Sequence, residues 1–107
     1  MTKPEPETGE LRRLRQRINA LDRRIVGLLN ERAELARDVG RAKAVLGRRA
    51  IRDGDREREV LLRVTMANEG PLAQADLLAL YRRLMAATRA LEARDRERTP
   101  ARTDDVD

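Results

Sequence analysis

The sequence predicts an all-α protein of three helices, one long, one short and one of medium length, with the long helix paired to a second copy of itself. Three observations carry that expectation. From Leu11 onward, steps of three and four residues pick out Leu11, Leu14, Ile18, Leu21, Ile25, Leu28, Arg32, Leu35, Val39, Ala42 and Leu46. They trace one face of a helix of about ten turns, apolar at every position but Arg32. The composition is rich in Ala, Glu, Leu and Arg, with 40% charged residues and Tyr81 as the single aromatic, so the core must be aliphatic. Finally, a helix of about forty residues cannot bury its apolar face against two shorter segments, and needs another copy, most simply in a homodimer.

Each element follows from local signals. Residues 1–9 are polar with two prolines and read as a disordered arm. The helical domain spans residues 10–94, its first helix running from about Glu10 to about Leu46, and Gly47 to Arg52 form a connection. A second helix starts near Asp53, a good N-cap, with Asp55 and Glu57 favouring its positive end. It carries Val60, Leu61, Val64 and Ala67 and stops at Asn68-Glu-Gly-Pro71, where glycine ends one helix and proline can begin the next. The third shows Leu77, Leu80, Leu84, Thr88 and Leu91 at helical spacing. Beyond Glu92 the chain becomes Arg/Glu/Asp-rich, which predicts fraying into a charged tail over residues 95–107.

Composition narrows the function. The net charge of +5 and a pI near 10.8 raise nucleic acid as a partner. The arginines, however, are interleaved with Asp22, Glu31, Glu34, Asp38, Asp53, Asp55, Glu57 and Glu59, the pattern of a solvated, ion-paired face. With almost no aromatic residues to stack on bases, nucleic acid is not expected. Cysteine is absent, so neither a disulfide framework nor a thiol nucleophile exists. The first residues contain no apolar signal-like stretch and no segment is long enough to span a bilayer, so a cytoplasmic protein without membrane contact is expected.

The polar residues on apolar faces point to a ligand. A guanidinium stays charged, so Arg32 on a buried seam needs an anion. Lys43 lies on the same helix, within roughly 20° of Arg32 and about 16 Å along the axis. Two inward cations of long reach suit an anionic ligand held between helices. Asp53, Arg56 and Glu57 stand at i, i+3 and i+4 on one side of the second helix, a set that equally describes a capping cluster with a surface ion pair. Tyr81, Met85, Thr88 and Glu92 share a face of the third helix. Thr88 there also fits a core threonine bonded to its own backbone, and Glu92 a solvated carboxylate. Arg15 flanks Leu14, from where an arginine reaches a partner helix or makes a flanking ion pair. With no His, no Cys and no acidic metal cluster, this set suits a small polyanion and a reaction needing confinement and electrostatic stabilisation.

Four motifs carry a resemblance: Leu14-Arg15-x-x-Ile18-x-x-Leu21-Asp22, Leu29-x-Glu31-Arg32-x-x-Leu35, Val39-Gly40-x-x-Lys43, and Arg52-Asp53-x-Asp55-Arg56-Glu57. A fifth, weaker one lies from Tyr81 to Glu92. In this order and spacing the chain resembles the all-helical (AroQ-class) chorismate mutases over roughly Leu11 to Glu92. The resemblance implies an intertwined homodimer with two active sites, no cofactor, no metal, and a Claisen rearrangement of dianionic chorismate to prephenate on the route to phenylalanine and tyrosine. Carried over by position, Arg32 and the partner copy's equivalent of Arg15 each hold a substrate carboxylate. Lys43 bonds the ether oxygen and a carboxylate, and Arg56 supports the carboxylate end. Asp53, through its backbone, and Glu57 orient the ring hydroxyl, and Thr88 adds a hydrogen bond.

Two positions depart from the family pattern. Thr88 stands where bacterial members often carry serine, a mild change. Glu92 replaces the usual glutamine against the ether oxygen, and must be protonated to help. Within the family, a mutase for 4-amino-4-deoxychorismate in secondary metabolism is the nearest rival, because Asp53 and Glu57 accept from an ammonium as well as from a hydroxyl. An isochorismate-pyruvate lyase is expected to lack the Arg-Asp-x-x-Arg-Glu segment. Outside the family, a non-catalytic dimerisation or regulatory module is the alternative, though such a module gains little from Arg32 and Lys43. A further pathway-enzyme partner is left open.

Overall fold

The structure is a computed structural model and describes residues 8–47 and 53–98. Its described residues form three helices and no strand: α1 (Gly9–Val45), α2 (Gly54–Ala67) and α3 (Gln74–Arg98). The chain divides into two compact units, residues 1–35 and residues 36–107.

The first unit is the N-terminal stretch of α1. Thr8 starts it: its hydroxyl accepts from the Leu11 amide at 3.0 Å and its carbonyl from the Arg12 amide at 3.0 Å, a threonine N-cap. The helix therefore takes in Gly9, which the sequence had suggested for the arm; residues 1–7 of that arm lie outside the described residues. The predicted apolar face is present and uncovered within the chain. Leu14, Ile18, Leu21, Ile25 and Leu28 are 46–58% exposed, and no residue of α1 is buried. Arg32 is partly buried and Arg15 exposed.

The second unit comprises the end of α1, α2 and α3. Gly47, at φ +78°, closes α1 with its amide donating to the Ala44 carbonyl at 3.0 Å, a backbone conformation that glycine adopts without strain. The predicted connection from Arg48 to Arg52 lies outside the described residues. Asp53 caps α2 as expected, its Oδ1 accepting from the Arg56 amide at 3.0 Å. At the other end Asn68 organises the turn. Its amide group donates to the Leu72 carbonyl and to Gln74 Oε1 at 3.1 and 3.2 Å, and its Oδ1 accepts from Gly70 N at 2.9 Å. Because Asn68 builds this turn over several residues, α3 begins at Gln74 rather than at Pro71.

Helices α2 and α3 pack on each other through Val60, Val64 and Met85, with Leu61, Leu77, Leu78 and Tyr81 around them. Burial on α3 thus follows Tyr81, Met85 and Thr88, and Leu80 is left 60% exposed. The expected fraying after Glu92 does not occur; α3 runs on to Arg98. Residues 93–98 are strong helix formers apart from Asp95, and Arg96 and Arg98 in the last turn complement the helix dipole. Residues beyond 98 lie outside the described residues.

Candidate active site

The end of α1 and the start of α2 line an open cleft of about 480 Å³ formed by Val39, Lys43, Asp53, Asp55, Arg56 and Glu59. Its size suits a small metabolite. Lys43, with its side chain 23% exposed, brings its ammonium to 3.8 Å from Asp53 Oδ2. Asp53 therefore works twice: one oxygen caps α2 and the other faces Lys43. The capping reading of this cluster is correct as far as it goes. Arg56 is exposed and its guanidinium donates to Glu59 at 3.1 Å. Arg58 pairs with Asp55, and Arg41 with Asp38, one turn away on their own helices. Interleaved charge on the outer faces is used as sequence reading expected, in local ion pairs.

Helix α3 supplies the remaining groups. Burial pushes the Glu92 carboxyl above the usual carboxylate range, and the Asp95 carboxylate adds to this; the Lys43 ammonium and, less strongly, the Arg89 guanidinium pull it back. Desolvation wins over the cations. Thr88 is buried and its hydroxyl donates to the Leu84 carbonyl at 3.0 Å, the core-threonine arrangement. Its oxygen can still accept a hydrogen bond, but its proton is committed.

Three participants were not anticipated from the sequence. The Arg89 guanidinium donates to Glu57 Oε2, joining α3 to α2 through side chains only 28% and 18% exposed. Arg37 makes a two-pronged contact with Asp95, Nε to Oδ2 at 2.8 Å and Nη2 to Oδ1 at 2.9 Å. That hydrogen-bonded guanidinium holds the Asp95 carboxyl below its ordinary range. The only sequence signal was helical spacing: Arg89 and Asp95 each lie three residues from Glu92 on α3.

Of the expected site residues, the second unit brings together Lys43 with Asp53 and Asp53 with Arg56, while Glu57 meets Arg89; Glu92 feels the Lys43 charge but forms no ion pair with it. Arg15 and Arg32 belong to the first unit. Among the described residues no group of His, Cys, Asp and Glu could hold a metal ion. The arrangement offers the Lys43 and Arg89 cations, held near carboxylates of α2, and a Glu92 carboxyl whose pKa burial raises. It can receive a carboxylate and stabilise an oxygen on which negative charge develops.

Residues 14–93 match the family model described as chorismate mutase type II. The chain belongs to that family. Every candidate residue from Arg15 to Glu92 falls inside the matched span of the chorismate mutase fold. The chain is similar to a chorismate mutase (Form II) from Thermus thermophilus, with a TM-score of 0.75 and 32% identity over 79% of this chain and 96% of that one. A bifunctional chorismate mutase/prephenate dehydratase from Stutzerimonas stutzeri is 37% identical over 90 residues, 80% of this chain. One from Escherichia coli is 53% identical over 51 residues, 48% of this chain. This chorismate mutase family chain spans a quarter or less of the length of these curated relatives, 25% and 13% respectively.

Proposed function

We propose that this protein is a chorismate mutase, an isomerase that converts chorismate to prephenate in aromatic amino-acid biosynthesis. The observation that carries the reading is Lys43, partly buried in the cleft with Asp53 Oδ2 at 3.8 Å, its charge also felt by the Glu92 carboxyl that burial raises. In the rearrangement the C–O bond breaks as a C–C bond forms, and negative charge grows on the ether oxygen. Lys43 supplies a positive donor to that oxygen, and Glu92 supplies a second, neutral one when it carries its proton. Donors aimed at charge that exists only in the transition state accelerate a unimolecular step. Arg32, Arg56 and the partner copy's equivalent of Arg15 take the two carboxylates and hold the flexible enolpyruvyl arm over the ring, which adds the proximity contribution. Asp53 and Glu57 orient the ring hydroxyl, and Thr88 accepts a further hydrogen bond. The reaction needs no cofactor.

The reading also requires a homodimer. The uncovered face from Leu11 to Val39 is 39–60% exposed at its large apolar residues, which a stable soluble chain has reason to cover. Sedimentation at low micromolar concentration should show one species of twice the chain mass, and a stably folded, highly helical monomer would exclude this assembly. The protein acts in the cytoplasm; no described helix is long and apolar enough to cross a membrane. Relatives carry a prephenate dehydratase on the same chain, so an enzyme consuming prephenate is the natural pathway partner. The activity itself is tested by mixing purified protein with chorismate: saturable loss of chorismate absorbance with prephenate as product supports it, and persistence of chorismate beside folded protein rejects it.

Asp95 provides a finer check. Its carboxylate helps to raise Glu92, so Asp95→Asn, which also frees the Arg37 charge, should lower the Glu92 pKa. Activity that depends on protonated Glu92 should then decline from a lower pH than in wild type. A pH–rate profile measures this, and an unshifted profile would disconnect Asp95 from Glu92.

A further inference from the structure

The geometry points to Arg89 as a specificity-determining residue that selects a neutral hydroxyl over an ammonium at the ring substituent met by Glu57 and Asp53. The inference rests on the mutase reading above, in which that end of the substrate lies against the start of α2. Two carboxylates alone would receive a cation at least as well as a hydroxyl, so by themselves they favour the 4-amino analogue of chorismate. Here each already faces a cation. Glu57 accepts from the Arg89 guanidinium, and Asp53 Oδ2 lies 3.8 Å from the Lys43 ammonium. The four side chains are between 18% and 35% exposed, so their charges are weakly screened by solvent.

Each of these two carboxylates thus faces a cation before substrate arrives. A hydroxyl donates to a carboxylate oxygen and adds no charge. An ammonium adds a further cation beside Arg89 and Lys43 and gives up its hydration for anions that already face a cation. Arg89 acts through Glu57 rather than on the reacting atoms, and is a positioning residue.

The test is kcat/KM of the full chain for chorismate and for 4-amino-4-deoxychorismate, in wild type, Arg89→Gln and Arg89→Lys. Wild type should prefer chorismate by ~10-fold or more, the scale on which a misplaced charge discriminates. Arg89→Gln should move the ratio toward the amino compound by a similar factor, and Arg89→Lys, which keeps the charge, should retain the wild-type preference. Loss of packing alone would lower both substrates together and leave the ratio where it was. Wild type also offers a reading that needs no variant. As pH rises and the substrate amine loses its proton, the ratio should climb toward the amino compound, while titration of Glu92 affects both substrates alike and cancels. A wild-type preference for the amino compound, or a ratio unmoved by Arg89→Gln and by pH, overturns the role of Arg89. Turnover of neither substrate by wild type overturns the mutase reading, and this inference with it.

Discussion

Lys43→Ala is expected to lower kcat/KM for chorismate by ~10²-fold or more, the scale of losing a fixed electrostatic donor, and Arg32→Ala by a comparable factor. Helicity should survive both changes. Asp53 keeps its cap on α2 through Oδ1, which does not involve Lys43, and alanine at position 32 favours the helix. Lys43→Ala has a second consequence. The ammonium opposes the proton on Glu92, so its removal raises the Glu92 pKa further, and the residual activity should persist to higher pH than wild type. Circular dichroism with steady-state kinetics separates these effects. Near-normal activity in either variant would assign that cation to structure alone.

The second large effect concerns Glu92. Its pKa is raised because burial outweighs Lys43 and Arg89, with Asp95 adding to burial. The protonated form is the donor, so activity is present below the Glu92 pKa of the enzyme–substrate complex and falls as pH rises through it. A bound dianion pushes that pKa upward again, since like charge disfavours ionisation. Glu92→Gln carries a permanent donor and should flatten the profile, with its greatest gain over wild type at high pH. Identical pH dependence in the two proteins would place Glu92 away from the ether oxygen.

Much of this was legible in the sequence because helices announce themselves through local signals. The Leu11–Leu46 periodicity, the Asp53 cap and the Asn68-Glu-Gly-Pro71 stop each act within a turn or two, and each corresponds to an observed element. The same local reading misplaced the end of α3, where a high density of charge suggested a tail although its residues favour helix. Lys43 and Glu92 were recognisable as candidates because they sat on or beside apolar faces. Arg37, Arg89 and Asp95 were not, because nothing about an arginine among many arginines marks its partner 58 or 32 residues away. Ion pairs between residues so far apart in sequence arise only in the folded chain. They leave no periodic trace.

The most direct test of a shared, two-copy active site is complementation between Arg15→Ala and Arg32→Ala. Each homodimer should be nearly inactive. In a heterodimer purified from co-expression through two different tags, one site combines the intact Arg32 of one chain with the intact Arg15 of the other, and the second site lacks both. Such heterodimers should recover close to half the wild-type kcat per dimer, with a wild-type KM for chorismate. Heterodimers no more active than the two homodimers would contradict it.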